Sequence, residues 1–272
     1  MLAVSYAKIN LFLEVTGRLP NNYHQVNTVF CSIDLCDYLD YSLSDEAAIT
    51  LSSSDPALEN SNNLIYRVAH FLQTRYAVKR GINIHLDKHI PVAAGLGGGS
   101  SNAANCLLNL NKLWELNLQR AELHSIAAQF GSDINFFLEG GFAFGENRGE
   151  ILTPMSDIPL PSILLVNPKI LISSSEAYKL VAIPDIARSF NPLDLRGSCF
   201  NRLEAGIRKM YPAIDAIINT ISSFGADSSI MSGSGSTCFG LFNNPNKLCE
   251  CENHFKKMNY WTKVVSAVPR QI

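Results

Sequence analysis

The sequence predicts an α+β protein of two domains, and three observations lead there. Strand-type alternation of apolar and polar residues fills the first stretch, as in "AKINLFLEV" and "VNTVFCSIDLCDYLDYSL". From about residue 63 onward, helical stripes and short strands take turns. Three prolines then cluster in "ILTPMSDIPLPS", residues 151–162, and mark a boundary between a first domain, 1–152, and a second, 153–272.

In the first strand Ile9, Leu11 and Leu13 share one face. "GRLPNNYH", residues 17–24, supplies turn chemistry before the second strand. A helix is expected from Asn63 to Tyr76, where Leu64, Val68, Phe71 and Leu72 form one stripe. "GINIHLDKHI" alternates Ile82, Ile84 and Leu86 as a strand. Beyond a glycine loop, Ala103, Ala104, Leu107, Leu108 and Leu110 line a buried helix, and a further helix runs from Leu118 to Phe130, stopping at Gly131.

The second domain opens with the apolar strand "SILLVNP". "SSSEAYKLV" starts a helix, with Ser173 as N-cap and Glu176 three residues on as a capping box. Tyr211 to Phe224 reads as a helix with Pro212 in its first turn. Strands "SSIMSG" and "STCFGLF", a helix near Lys247 to Met258 and a last strand "TKVVSAV" follow; that strand is free to return to the first domain.

Composition narrows the function classes. Hydrophobic residues make up 47% and charged residues 17%, a globular balance rather than a disordered one. A net charge of -2 offers no overall basic face for nucleic acid. The seven cysteines are odd in number and sit mostly in apolar runs, which fits free thiols of a reducing compartment. Cys249 and Cys251 lack further zinc ligands and read as helix positions of unequal burial. Lys8 and Asn10 interrupt the apolar N-terminal run, and no stretch reaches 18 apolar residues, so a cytoplasmic protein without a signal peptide or membrane span is expected.

The most informative stretch is "PVAAGLGGGSSNAAN", residues 91–105. It lacks the Lys-Ser or Lys-Thr of a Walker A loop and the third glycine of the dinucleotide fingerprint. Gly95, Gly97, Gly98 and Gly99 nonetheless let backbone approach a ligand closely, and the following helix offers unpaired N–H groups at its positive end. Phosphate binding explains this run better than a plain strand–helix connector does.

Four stretches in order resemble the GHMP kinases, which include galactokinase, homoserine kinase and mevalonate kinase. They are "AKINLFLEVTGRLPNNYHQVNTVF" (7–30), the glycine loop, "FGSDINFFLEGG" (130–141) and "MSGSGSTCFGLF" (231–242). The extra loop glycine and the Ser-Ser-Asn-Ala-Ala ending are most similar to the branch that phosphorylates a cytidine-diphosphate-linked methylerythritol in non-mevalonate isoprenoid precursor synthesis. The resemblance implies the two-domain fold of that family: an N-terminal domain like ribosomal protein S5 domain 2, and a ferredoxin-like C-terminal domain. It implies ATP with Mg2+, small-molecule substrates, and a monomer or weak homodimer with no nucleic-acid or membrane partner.

Carried over residue by residue, the resemblance nominates Asp133 as the base near the acceptor hydroxyl, with Lys8 as its neighbour. Gly95, Leu96, Gly97, Gly98, Gly99, Ser100 and Ser101 would hold the ATP phosphates; Asn63, Leu64 and Lys88 would lie on the adenine side. Asn10, Tyr23, His24, Tyr178, Gly233, Ser234 and Gly235 would bind the acceptor, and no metal ligand is assigned. Without the resemblance, Asp133 reads as a helix N-cap and Lys8 as a charged strand-edge residue. The chain departs from the family where "PNNYH" replaces an acidic-Gly-Tyr-His turn, and where no proline follows Asp133. Two other readings stay open at this point: a kinase of the mevalonate or homoserine type, and a catalytically silent nucleotide-binding relative.

Overall fold

The computed structural model describes residues 1–20 and 22–270; Asn21, within the expected 17–24 turn, lies outside them. The strands are β1 Leu2–Arg18, β2 His24–Ser44, β3 Ile49–Ser53, β4 Gly81–Asp87, β5 Phe142–Glu146, β6 Ile151–Pro154, β7 Ser162–Asn167, β8 Phe200–Asn201, β9 Ser228–Met231, β10 Cys238–Phe242 and β11 Trp261–Val265. The helices are α1 Leu64–Arg75, α2 Gly98–Leu113, α3 Arg120–Phe130, α4 Ile134–Glu139, α5 Ser174–Lys179, α6 Leu195–Ser198, α7 Glu204–Met210, α8 Pro212–Ser223 and α9 Pro245–Lys257. One sheet runs in the order β3-β4-β2-β1-β8, with β5 on β2 and β6 on β5; a second runs β11-β7-β10-β9. The α+β class is as expected.

The chain forms two compact units that interleave along the sequence. The first takes Met1–Ala7, Leu35–Val92 and Gly97–Glu139; the second takes Lys8–Asp34, Ala93–Leu96 and the chain from Gly140. The long strands β1 and β2 are each shared, so no single point in the chain separates the cores. The segment around residue 152 is itself strand β6, paired antiparallel with β5 from Ala143–Pro154 to Glu146–Ile151. Pro154 closes that edge strand, a position where a missing N–H is tolerated.

In the first unit, β4 lies between parallel β3 and the outer half of β2. Ile82, Ile84 and Leu86 face inward from β4 onto Val68 and Leu72 of α1 and Leu107 and Leu110 of α2. Asn63 caps α1: its Oδ1 accepts from the Ile65 N–H at 2.9 Å. Gly131 ends α3 with an extended backbone (φ 174°), so the stop is not the left-handed glycine turn the sequence invited.

In the second unit β7, α8, β9, β10, α9 and β11 follow a β-α-β-β-α-β path with every neighbouring pair antiparallel. Ile214, Ile217, Ile218 and Ile221 of α8 and Leu248, Cys251 and Phe255 of α9 cover one side of this sheet. Cys251 is buried while Cys249 is exposed. The last strand β11 stays with β7; only the residues after it reach β2, through Ser32, Asp34 and a bridge from Ile33 to Ala267.

β1 departs most from its sequence reading. Ile9, Leu11 and Leu13 are buried as expected, but so are Lys8, Asn10, Phe12 and Glu14 on the other face. The polar alternation is therefore not a solvent face. It carries functional groups into covered space, and Lys8, 3% exposed, is no strand-edge guard.

Candidate active site

Within the second unit, three separate stretches meet around Lys8 and Asn10. The Lys8 ammonium donates to Asn10 Oδ1 at 2.5 Å, and Asn10 Nδ2 donates to Thr28 Oγ1 at 2.8 Å. The Lys8 N–H donates to Leu96 O at 3.0 Å, and the Asn10 N–H reaches Ser232 Oγ at 3.3 Å. A side chain placed on Gly233 would lie 3.2 Å from both Lys8 Nζ and Asn10 Oδ1. Lys8, Asn10 and Gly233 are thus immediate neighbours, although about 220 residues separate them in the chain.

The glycine loop begins in the same place. Ser232 Oγ donates to Gly95 O at 2.9 Å, and the Thr237 N–H to Ala94 O at 3.2 Å. Gly95 has φ +77°, and a Cβ there would lie 2.1 Å from Ser232 O, so only glycine fits. Asn201 braces the partner loop: its amide donates to Met231 O and Gly233 O, both at 2.7 Å. Glu204 accepts from the Met231 N–H at 2.9 Å; burial raises its carboxyl above the usual range, partly offset by Met231 and Arg208. Neither brace was anticipated; only their place in a short polar run, "NRLE", sets them apart in the sequence.

In the first unit the loop turns into α2. Gly97, in the left-handed region at φ 69°, is the N-cap and offers no side chain there. The first turn, from Gly98, thus presents N–H groups with no carbonyl inside the helix. Gly99 faces open space and Ser100 is half-buried. Ser101 differs from expectation: it is buried, and its hydroxyl donates to Tyr6 O at 2.6 Å beside Ser5 Oγ. That hydroxyl secures the helix to β1.

Asp133 stands immediately before α4, which packs on α2 in the same unit. The adenine-side nominees have occupied side chains. Asn63 Nδ2 donates to Leu58 O while Oδ1 caps α1, and Leu64 packs against the core. The Lys88 ammonium is held by Asp37 Oδ2 at 2.7 Å and Ile90 O at 2.6 Å. Burial lowers its pKa and Asp37 offsets part of that.

His24 and Tyr178 come together in the second unit. Their rings stack with centroids 5.1 Å apart, and His24 Nε2 is buried with no hydrogen-bond partner. Burial, aided by Arg18, lowers the His24 pKa, so the imidazole is neutral around pH 7. Tyr23 is exposed, with the Arg148 guanidinium 5.3 Å from its ring centre. Glu150 steadies Arg148 through its N–H at 2.8 Å and its Nε at 3.2 Å. Arg148 sits in the turn between β5 and β6, and no motif in the sequence sets it apart. Ser234 Oγ lies 3.1 Å from Ser174 Oγ at the start of α5, and Gly235 is buried beside Met231.

Comparison with known proteins identifies the family. The family model for the GHMP kinases N terminal domain matches residues 63–141, and that for the GHMP kinases C terminal matches 182–259. A 4-diphosphocytidyl-2-C-methyl-D-erythritol kinase of Bacillus pumilus is 40% identical over 89% of this chain and 88% of its own length. One of Thermodesulfovibrio yellowstonii is 36% identical over 97% and 96%. A crystal structure of 4-(cytidine 5'-diphospho)-2C-methyl-D-erythritol kinase superposes with a TM-score of 0.83 at 28% identity, covering 98% of this chain and 99% of that one. Two family models and relatives matched over nearly the whole chain place it among known enzymes: the chain belongs to the GHMP kinases, in the family of the 4-diphosphocytidyl-2-C-methyl-D-erythritol kinases.

Proposed function

We propose that the chain transfers the γ-phosphoryl group of ATP to the 2-hydroxyl of 4-diphosphocytidyl-2-C-methyl-D-erythritol, a step of non-mevalonate isoprenoid precursor synthesis. The names of its relatives support this substrate. The observation that carries it is His24: a neutral imidazole with an unpartnered buried Nε2, stacked on Tyr178. Such a group suits the hydrogen-bonding edge of a nucleobase, with flat rings for its face. Mevalonate and homoserine have no base to use it.

Phosphoryl transfer asks the protein mainly for position and charge stabilisation. Asp133 accepts the proton of the acceptor hydroxyl. Lys8, oriented by Asn10, stabilises negative charge on the transferred group. The N–H groups from Gly97 to Ser100 hold the phosphates, and Gly233, Ser234 and Gly235 wall the polyol. Asn63, Leu64 and Lys88 meet the adenine side through backbone, since the Asn63 and Lys88 side chains are engaged elsewhere. Residues 1–152 supply the nucleotide contacts together with Asn10, Tyr23 and His24, and 153–272 supply the remaining acceptor contacts.

Magnesium accompanies ATP in this reading. Among the described residues no cluster of three or more His, Cys, Asp or Glu side chains could hold a metal. The ion fits as part of the substrate, held by phosphates and water. No described helix is long and apolar enough to cross a membrane, and a cytoplasmic monomer or weak homodimer completes the proposal.

The test is ADP release with ATP and magnesium, offering the cytidine-linked substrate beside mevalonate and homoserine. Release with the cytidine compound alone is expected. Release only with another alcohol would discard the His24 argument while keeping the kinase class.

A further inference from the structure

Asp37 carries no role in the reaction as described, yet it is the most heavily bonded buried carboxylate near the phosphate loop. It lies on β2 with no exposed surface. Its Oδ1 accepts from the His89 N–H at 2.7 Å and the Ile90 N–H at 2.8 Å. Its Oδ2 accepts from Lys88 Nζ at 2.7 Å and Asn102 Nδ2 at 2.9 Å. These four donors fill a carboxylate's acceptor sites.

The donors are not scattered. Lys88, His89 and Ile90 form the segment that leads into the glycine loop, and Asn102 sits in the second turn of α2, which leads out. The other amide hydrogen of Asn102 goes to Ser5 Oγ at 3.0 Å, and Ser5 touches Ser101. Lys88 adds a second link by donating to Ile90 O. A side chain on Gly98 would lie 3.0 Å from Lys88 Nζ and 2.9 Å from Ile90 Cγ2, so the start of α2 rests directly on this assembly.

We propose that Asp37 is a positioning residue for ATP: one buried carboxylate that ties the incoming segment of the phosphate loop to the helix leaving it. It thereby sets the spacing of the N–H groups that face the phosphates. A loop with four glycines has no side chains of its own to fix that spacing, so the rigidity comes from its flanks. Asp37 touches no substrate; it acts through Ile90, Lys88 and Asn102. The inference rests on the phosphate-binding reading of the loop.

The experiment measures ATP binding by calorimetry and steady-state constants for both substrates in Asp37→Asn and Asn102→Ala. In Asp37→Asn an amide faces the Lys88 and Asn102 donors and leaves the ammonium without its counter-charge. We expect the ATP KM to rise about ten- to a hundredfold, with the acceptor KM within about twofold of wild type. Asn102→Ala removes the link from Asp37 to α2 together with the bond to Ser5, but leaves Asp37 paired with Lys88, so it should fold. Its ATP KM should rise about three- to tenfold, again with the acceptor KM unmoved.

Unchanged ATP constants in Asn102→Ala and in a folded Asp37→Asn would overturn the proposal and leave the kinase reading intact. Equal losses toward both substrates, tracking a lowered melting temperature, would assign Asp37 to folding alone and equally overturn it. Failure of the wild-type enzyme to bind ATP would remove the phosphate-loop reading and the proposal together.

Discussion

Single residues decide chemistry here through their surroundings more than through their type. Asp133→Asn keeps the size of the side chain and removes the basic oxygen. Turnover should fall at least about a hundredfold while calorimetric ATP affinity stays near wild type; near-normal turnover would remove Asp133 from the mechanism. His24 offers a pH test. Its folded pKa lies below the ordinary 6.5, so the native imidazole stays neutral where a free one would already be charging. The KM for the cytidine substrate should therefore stay flat as pH falls through 6.5 and rise only at more acid values. His24→Gln, which has no group titrating there, should show no such rise. For stability the sign is the same: the unfolded chain takes up this proton first, so the contribution is lost as pH falls below the unfolded value.

At the scale of elements, the glycine loop depends on close contact between its backbone and that of the loop after β9. Gly95→Ala places a methyl 2.1 Å from Ser232 O in a left-handed conformation. A loss of more than about 2 kcal/mol in denaturant unfolding is expected, with a raised ATP KM. Helix starts behave more simply. Asn63→Ala removes the side-chain cap of α1 and should cost about 1 kcal/mol, read from the unfolding midpoint. The Ser173 cap was legible because it is a local interaction between a side chain and a backbone three residues on. Ser173 accepts from the Glu176 N–H at 3.1 Å, the first half of the expected capping box, but the Glu176 carboxylate accepts from the Tyr211 hydroxyl 35 residues on instead of closing the box, a distant partner that no local pattern names.

At the scale of the molecule, the second unit is fastened by a buried pair from opposite parts of the chain. Arg202 grips Glu14 through Nε at 2.6 Å and Nη2 at 2.7 Å, and the Arg188 N–H adds a third bond at 2.9 Å. Phe200 lies under both cations, 4.2 Å from Arg188 and 4.8 Å from Arg202. Burial alone would raise the Glu14 carboxyl, but its bonds to Arg202, Arg188 and Val15 bring it below the usual range. Arg202→Leu strands a fully buried carboxylate and should lower stability by about 3–5 kcal/mol at neutral pH. The wild-type contribution is full above the ordinary 4.5 and is lost as pH falls through the lower folded value. The gap between the two proteins in chemical denaturation should therefore narrow in acid. A gap that stays constant across that range would mean the pair contributes nothing through charge.

The α+β class, the helices with clear apolar stripes and the four motifs that mark the family are legible in the chain before it folds. Each of these is written in residues close together in the chain, where periodicity, capping and loop chemistry act. Packing decided that β1 is covered on both faces, which turned Lys8 from a strand-edge charge into one half of a buried pair with Asn10. It decided likewise that the cores share strands, that Ser101 and Lys88 hold the scaffold with their side chains, and that Asp37, Asn201 and Arg148 stand where they do. These outcomes depend on which distant segments pack together. Burial, hydrogen-bond saturation and charge pairing are properties of that packing, and no local pattern encodes them.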